Sequence, residues 1–564
     1  MLSFAATLFL WVELIGFDNT RPDFGVGEYL GRMDFRPDAI SFMLDDDRML
    51  QCYRGYDATA ELKPGNCAYG ARPYNGERLR QKWTQGQVKA LVSELRKRGV
   101  AVYASFFHWY PEVFPKPDAE AESLGRRLVK FITDFGFDGF HGADGWAPPR
   151  FLLEKCEDGQ RAAVARKRAE RYAANWKTLA TMLKAEGKKV WINTCWTLDP
   201  YEALYRYGVD YRLLAKTGID GFVVESSAAA KELFGRRYTK APTIDKSVAM
   251  VMRLKAACPE MPMVMLHAIN DGNEVWSALR HAPTLTRSEA LAMGTAFCNG
   301  RRCLDGFLAC LADGLKADEW RELNKTWQQA MTAAKGPLGA RVVWSDAAFD
   351  REFDDCTVSH DASSFTLLYE LLAHGAPVNA IVSSEEALRD DSYPIVLLNP
   401  EFIPEKELAA LRDRPERVLE LGRGARARSP VEYVKCENPK PFPGMPDDDV
   451  CYFTRPLCEN LPKDAFIRQE AEATREMVPY SCGAGDTHTW GFRLADGRLA
   501  VLVRNNAHTY VDALVKLNAC VSDVRVLGDF PSCPVRTSLS GRIAPQDTMF
   551  LSVGEHPWEL PTGR

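Results

Sequence analysis

The sequence predicts an α/β protein that opens with a (β/α)8 TIM barrel and continues into a flavodoxin-like α/β domain and a C-terminal antiparallel β-sandwich. Three observations carry that expectation. From about residue 38 to 300, short apolar runs rich in β-branched and aromatic residues alternate with longer amphipathic stretches, the signature of parallel β/α architecture. Several amphipathic stretches end in Gly directly before the next apolar run, as in RKRGVAVYASF, TDFGFDGFHGAD and AKTGIDGFVVES. Gly there supplies the left-handed cap that turns a helix back into a sheet. Finally, no GxGxxG or Walker sequence follows any strand candidate, which argues against a nucleotide-binding doubly wound sheet. Polar and aromatic residues gather instead at the C-terminal ends of the runs, where the loops of a barrel build a site.

Taken in order, the barrel strand candidates are Phe9–Phe17, Ala39–Leu44, Val100–Phe107, Phe137–His141, Lys189–Cys195, Ile219–Glu225 and Pro262–Ala268. Between them the helical period covers Thr84–Arg98, Ala121–Phe135, Arg161–Glu186, Asp199–Tyr207, Asp245–Ala257 and Arg287–Cys298, and Ala317–Ala334 closes the region. The flavodoxin-like part reads as strand Arg341–Ser345, helix Ser363–His374, strands Pro377–Val382 and Pro394–Leu398, helix Pro404–Arg412 and strand Arg417–Leu421. A polar, Pro-rich connector follows from Gly422. From about Trp490 the period changes to two, and GFRLADGRLAVLVRNN reads as a hairpin with a type I′ turn at Asp496-Gly497. Further strands are expected at Asp512–Leu517, Asp523–Val526, Val535–Leu539 and Met549–Val553. The expected domains are therefore 1–335, 336–430, a connector at 431–475, and 476–564. No internal repeat stands out.

Composition limits the function. A chain of 564 residues exceeds one hydrophobic core, and 46% apolar with 26% charged residues excludes disorder. The 71 basic and 76 acidic residues are mixed along the chain, so no polybasic surface for nucleic acid is expected. The apolar start, Met1 to Val12, is too short to span a bilayer and is interrupted by Glu13. It reads as a buried strand, with a cytoplasmic protein expected, or a secreted or periplasmic one if a leader preceded this chain. The 15 cysteines are scattered with no CxxC, which suits reduced, buried thiols. Cys303 and Cys310, seven apart, read as one face of a helix. Nine histidines without HxxxH or HExxH spacing give no reason to expect a metal, and no organic cofactor is expected either.

The stretch with most chemical content is GFDGFHGADGW at 136–146. A strand there ends in a carboxylate, Asp144, between glycines that let a bulky ligand reach the backbone. Phe140 and Trp146 beside it could stack on a sugar ring. The bland alternative is that Asp144 caps a helix or pairs with an Arg, and Asp138 reads as a turn-tying residue at the strand entry. The second carboxylate candidate is Glu225, ending GIDGFVVESS at 218–227. After Phe-Val-Val it would be partly buried, which raises its pKa as a general acid requires; otherwise it merely opens the next helix. Asp199, in CWTLDP, competes with Glu225 as the second carboxylate and reads also as a ligand contact, although Asp before Pro is more often a helix cap. Two carboxylates facing one pocket are the equipment of glycoside hydrolysis. Asp45, Asp46, His108, Trp109, His141, Trp146, Asn193, Trp196 and His267 complete the candidate sugar-binding set.

The stretch 137–144 resembles the fourth-strand nucleophile motif of barrel glycosidases such as the dextranases and, more loosely, the α-galactosidase group. The resemblance implies a nucleophile at Asp144 and an acid/base on a later strand. Counting Phe9–Phe17 as strand one puts Glu225 on strand six, the acid/base position of the α-galactosidase-like group, which carries Asp there. The domain order is similar to that of bacterial β-galactosidases whose middle domain mediates trimerisation, and it implies a homo-oligomer, possible as a trimer. The catalytic pattern of those enzymes, Glu on strands four and seven, differs: no Asn-Glu pair stands at the fourth strand, and after His267 no carboxylate occurs until Asp271 or Glu274. The expected function is hydrolysis of a glycosidic bond in an oligosaccharide, retaining and exo-acting. A β-galactosidase-like enzyme with relocated carboxylates, or a non-catalytic carbohydrate-binding barrel, are the alternatives.

Overall fold

The computed structural model describes residues 6–46, 50, 53–62, 81–107, 116–143, 146, 156–195, 199–225, 243–269, 278–426, 432–435, 460–482, 486–517, 523–526 and 538–554. Eight parallel strands close a barrel in sequence order. They are β1 Thr7–Glu13, β2 Ala39–Asp46, β3 Ala101–Phe107, β4 Gly139–Gly142, β5 Lys189–Asn193, β6 Gly221–Glu225, β7 Met263–Ala268 and β8 Gly306–Cys310. β1 is shorter than the apolar run suggested, because Leu14–Gly16 curls into a 3-10 turn. β8 was not anticipated. It corrects the helical reading of Cys303 and Cys310: Cys310 ends a strand and Cys303 precedes it, both buried. The helix expected at Arg287–Cys298 runs from Pro283 to Gly294 instead.

Most of the expected barrel helices form where the pattern placed them. Thr84 and Gln87 form a reciprocal capping box at the start of Gln85–Lys97. Gly136, at φ +79°, closes Asp118–Phe135 before β4.

The foot of the barrel is built from one device used four times. Asp38, Asp138, Asp220 and Asp305 each stand just before an even-numbered strand. Each carboxylate accepts the backbone N–H of the preceding odd strand: Leu8 at 2.8 Å, Val102 at 2.9 Å, Val190 at 2.8 Å and Met263 at 2.9 Å. At three of the four the following residues are Gly-Phe: Asp138-Gly-Phe, Asp220-Gly-Phe and Asp305-Gly-Phe. A short internal repeat therefore exists after all, and the Asp138 carboxylate, expected to tie its own turn, bonds the neighbouring strand and pairs with Arg96 at 3.1 Å. The glycines are required by contact. A Cβ on Gly139 would lie 2.4 Å from Lys189 O, one on Gly221 2.3 Å from the Trp191 ring, and one on Gly306 1.9 Å from Thr7 O. Odd strands fill the space so released with large rings, Phe9 packing on Trp191 at 4.9 Å and on Tyr103 at 5.8 Å. Large against small in alternation is how a closed barrel fills its interior.

Beyond the barrel, strands Ala380–Ser383, Arg341–Trp344, Ile395–Leu398 and Val418–Leu421 pair in parallel in that order, with Phe297–Cys298 joining at the edge. Helix Asp346–Ser359, not anticipated, is N-capped by Ser345. The expected connector carries a helix of its own, Asp464–Arg475. The C-terminal strands pair antiparallel in a five-stranded and a three-stranded sheet, and Tyr480, Val501, Val503, Val515 and Leu551 pack in one cluster between them. The hairpin Thr487–Leu494/Leu499–Asn505 corrects the turn: its loop is Ala495-Asp496-Gly497, and of these only Gly497 has positive φ, +94°. That is a three-residue loop with a bulge, and not a type I′ turn.

Helix Thr243–Ala257 anchors these parts to the barrel. Asp245, fully buried, contacts His488 at 2.9 Å and Arg504 at 3.4 Å from the C-terminal sheet. No described helix is long and apolar enough to cross a membrane.

Candidate active site at the barrel mouth

Strand alternation decides which side chains enter the barrel. Phe9 and Trp11 of β1, Met43 of β2, Tyr103 of β3, Trp191 of β5 and Val223 of β6 share the interior cluster. Residues two further along each strand face the same way, towards the C-terminal end. That rule brings Ser41, His141, Asn193, Glu225 and Glu13 to the upper interior.

Ser41, His141 and Asn193 form a buried chain. Ser41 Oγ–H donates to His141 Nδ1 at 2.8 Å, and His141 Nε2–H donates to Asn193 Oδ1 at 2.8 Å. The Trp11 ring meets the imidazole edge-on at 5.6 Å. Burial lowers the His141 pKa to about 4, against the opposing pull of Asn193, so the ring is neutral near neutral pH and fixed as one tautomer. Glu225 ends β6 at 8% exposure. Its backbone N–H donates to Thr194 Oγ1 at 3.0 Å.

Two further acids meet where β1 and β8 close the barrel. Asp313 follows β8 by three residues, and both its carboxylate oxygens accept the Glu13 backbone N–H at 3.1 Å. Burial first, then the charge of Glu13, pushes the Asp313 carboxyl well above the usual range. Gly16 permits this approach, since a Cβ there would lie 2.4 Å from Asp313 Oδ1. Neither acid was singled out from sequence. Glu13 read only as the end of an apolar run, and Asp313 follows the strand that was not recognised.

Three expected ligand residues stand elsewhere. Trp146 is in the outer core: its ring packs on Phe140 at 4.9 Å, and its indole N–H donates to Phe106 O at 2.8 Å. A face 1% exposed offers no platform for a sugar. Asp199 takes the structural option. It caps helix Pro200–Tyr207 through Glu202 N at 2.8 Å and pairs with Arg253 at 2.8 Å, fully buried. Burial pushes its carboxyl up to about 6 against the pull of Arg253. His267 alternates with Met263 and Met265 and so faces the helices outside the barrel. Its Nε2–H donates to Thr286 O at 3.0 Å, and it accepts from Trp327 Nε1 at 3.0 Å.

Asp144, His108, Trp109 and Trp196, and the side chains of Asp45 and Asp46, lie outside the described residues. The backbone of β2 reaches Asp46, with a register shift against β3 between Met43 and Asp45. A cavity of about 640 Å³ lies away from the mouth, where Arg166, Arg212, Cys258, Asp346 and Asp350 line the junction with the parallel sheet. Among the described residues no group of three or more His, Cys, Asp or Glu could hold a metal ion.

No protein-family model matches the chain, and no curated protein matches it. Solved structures do share its fold. The GH42 β-galactosidase Gan42B superposes with a TM-score of 0.55 at 9% identity, covering 98% of both chains. The α-L-fucosidase isoenzyme 2 of Paenibacillus thiaminolyticus does so at 0.55 and 11%, over 98% of this chain and 100% of that one. The β-galactosidase of the psychrophilic Marinomonas ef1 does so at 0.53 and 8%, over 97% and 100%. At such identities the likeness is one of fold, and it extends from the barrel through the C-terminal sheets.

Proposed function

We propose that the protein is a glycoside hydrolase whose barrel mouth cleaves a terminal sugar from an oligosaccharide, with Asp144 as nucleophile or base and Glu225 as general acid. The observation that carries this reading is Glu225, a buried glutamate on the interior parity at the C-terminal end of β6. Asp144 stands two residues beyond the end of β4 in the sequence, and only β5 separates the two strands. The fold shared with β-galactosidases and an α-L-fucosidase supports a sugar as substrate. Glu225 would protonate the leaving glycosidic oxygen, and Asp144 would attack the anomeric carbon from the opposite face. A carboxyl separation of roughly 5–5.5 Å suits that retaining course, and one of roughly 6.5–9.5 Å an inverting one. The neutral His141–Asn193 pair supplies hydrogen-bonding groups below the mouth.

The test is a panel of nitrophenyl glycosides, galactosides and fucosides first. Glu225→Gln and Asp144→Asn should each lower turnover by about a hundredfold to ten-thousandfold with an unchanged melting temperature. Wild-type turnover in both variants would overturn the assignment.

The domain division at 335, 430 and 475, with flavodoxin-like and β-sandwich units behind the barrel, belongs to the same proposal, as does a homo-oligomer. Their support is the domain order in the sequence and the whole-length fold likeness. A monomer in sedimentation velocity at micromolar concentration would remove the oligomer.

A further inference from the structure

β5 changes course where it meets the end of β6. Trp191 and Asn193 face the interior, and strict alternation would send Cys195 the same way. Cys195 packs instead in the outer core, and its backbone N–H donates to Tyr211 Oη at 2.8 Å. Tyr211 is itself buried, its ring edge-on to Phe222 of β6 at 5.6 Å. The chain therefore turns outward at Thr194. The ladder between the two strands runs from Trp191 beside Gly221 to Asn193 beside Val223 and stops there. Thr194 N–H still donates to Val223 O at 2.9 Å. The next N–H that β6 directs at β5 is that of Glu225, two residues on. It donates to the Thr194 hydroxyl oxygen at 3.0 Å, where a continuing strand would have offered the Thr194 carbonyl.

A side chain thus holds the backbone of the residue assigned as general acid, on the side of β6 where the ladder has ended. On the other side β7 continues the pairing, with Glu225 beside Leu266. Thr194 is buried, and its β-branch leaves the hydroxyl few rotamers, which suits a contact that sets a direction. Asn193 before it is tied to His141 and Cys195 after it to Tyr211, so each of three consecutive residues has its own anchor. We propose that Thr194 is a positioning residue for Glu225: by accepting the Glu225 N–H it sets where β6 ends and so where the carboxyl stands, with Tyr211 holding the turn that aims Thr194. The proposal rests on the hydrolase reading above and adds a residue to it. Thr194 touches no reacting atom and takes no part in proton transfer. Misplacing a reacting group by about 1 Å costs about a hundredfold in rate, so one hydrogen bond at this place reaches the chemistry.

The experiment uses the full chain and the nitrophenyl glycosides. Thr194→Val keeps the shape and removes the acceptor, whereas Thr194→Ser keeps the acceptor. Thr194→Val should lower kcat by about tenfold to a hundredfold with KM within about twofold of the parent, the pattern of a displaced reacting group and not of lost substrate binding. Thr194→Ser should restore most of that kcat, which a role in packing alone would not produce. Amide exchange read by mass spectrometry over residues 221–225 should be faster in Thr194→Val than in the parent or in Thr194→Ser. Parental kcat or parental exchange in Thr194→Val, or an equal loss of kcat in the two variants, overturns the positioning role and leaves the hydrolase reading standing. Should Thr194→Val not fold, Tyr211→Phe decides: a lowered kcat at parental KM supports the proposal, and a parental kcat overturns it. A parent that cleaves no glycoside of the panel removes the hydrolase reading, and the positioning role falls with it.

Discussion

The two ends of the barrel treat acidic residues in opposite ways, and β6 shows both. At its foot Asp220 accepts the Val190 N–H at 2.8 Å and stands near Lys184 and Lys189. At its mouth Glu225 is a carboxylate five residues on, buried and facing the interior. The foot repeats one solution around the ring, and each charge there meets a backbone donor. The mouth buries Glu13, Asp313 and Glu225, and burial holds the Asp313 carboxyl well above its usual range, with a neutral His141 beneath them. Groups that stabilise a barrel collect at its N-terminal face, and groups held at a cost collect where loops converge.

The comparison can be broken on β6 itself. Glu225→Gln should remove turnover by orders of magnitude with the melting temperature kept, whereas Asp220→Ala should keep turnover per folded molecule. Equal activity losses in both would erase the distinction. Next in size, Gly306→Ala should destabilise the fold by about 3 kcal/mol or more, because its Cβ would fall 1.9 Å from the Thr7 carbonyl oxygen and two paired strands must part. A thermal melt within a degree of the parent would contradict the close packing of the foot.

His141 tests the mouth by pH. Its pKa is about 4 when folded, below the 6.5 of a free imidazole. The unfolded chain therefore binds the proton first, and this group's stabilisation is complete above pH 6.5 and lost as pH falls towards 4. The loss amounts to about 3 kcal/mol. Denaturant titrations between pH 7 and 4 should show that slope, and His141→Gln should flatten it; an unchanged slope would place the titration elsewhere. Smallest is a single foot contact. Asp220→Ala should cost about 1.5–3 kcal/mol in the same titration at neutral pH, as should Asp138→Ala, and the two together should nearly add.

Much of the scaffold was legible because strands, helices and glycine caps agree locally. Gly99, Gly136 and Gly218 all adopt the positive φ that their place before a strand suggested. β8 escaped notice because Cys303 and Cys310, seven apart, read as one face of a helix across GFLAC. Its Asp305-Gly-Phe entry repeats those of β4 and β6 and would have revealed it. The same repeat weakens FDGF as a mark of catalysis, since that part of the motif ties strands together at the foot. His141, Asn193 and Glu225 were legible as strand-end polar residues on the interior parity. His267 failed on parity alone: counting from Met263 turns it outward. Trp146 was drawn into core packing, which no spacing in the sequence announces, whereas Asp199 took the helix-cap role that Asp before Pro suggests.

The foot contacts also divide the ring. Asp38, Asp138, Asp220 and Asp305 join β1 with β2, β3 with β4, β5 with β6 and β7 with β8. The barrel is thus a ring of four two-strand staves, each clasped within itself. New chain ends opened between β2 and β3, β4 and β5, or β6 and β7 would leave every stave continuous, whereas ends opened inside a stave would separate a clasp from its partner.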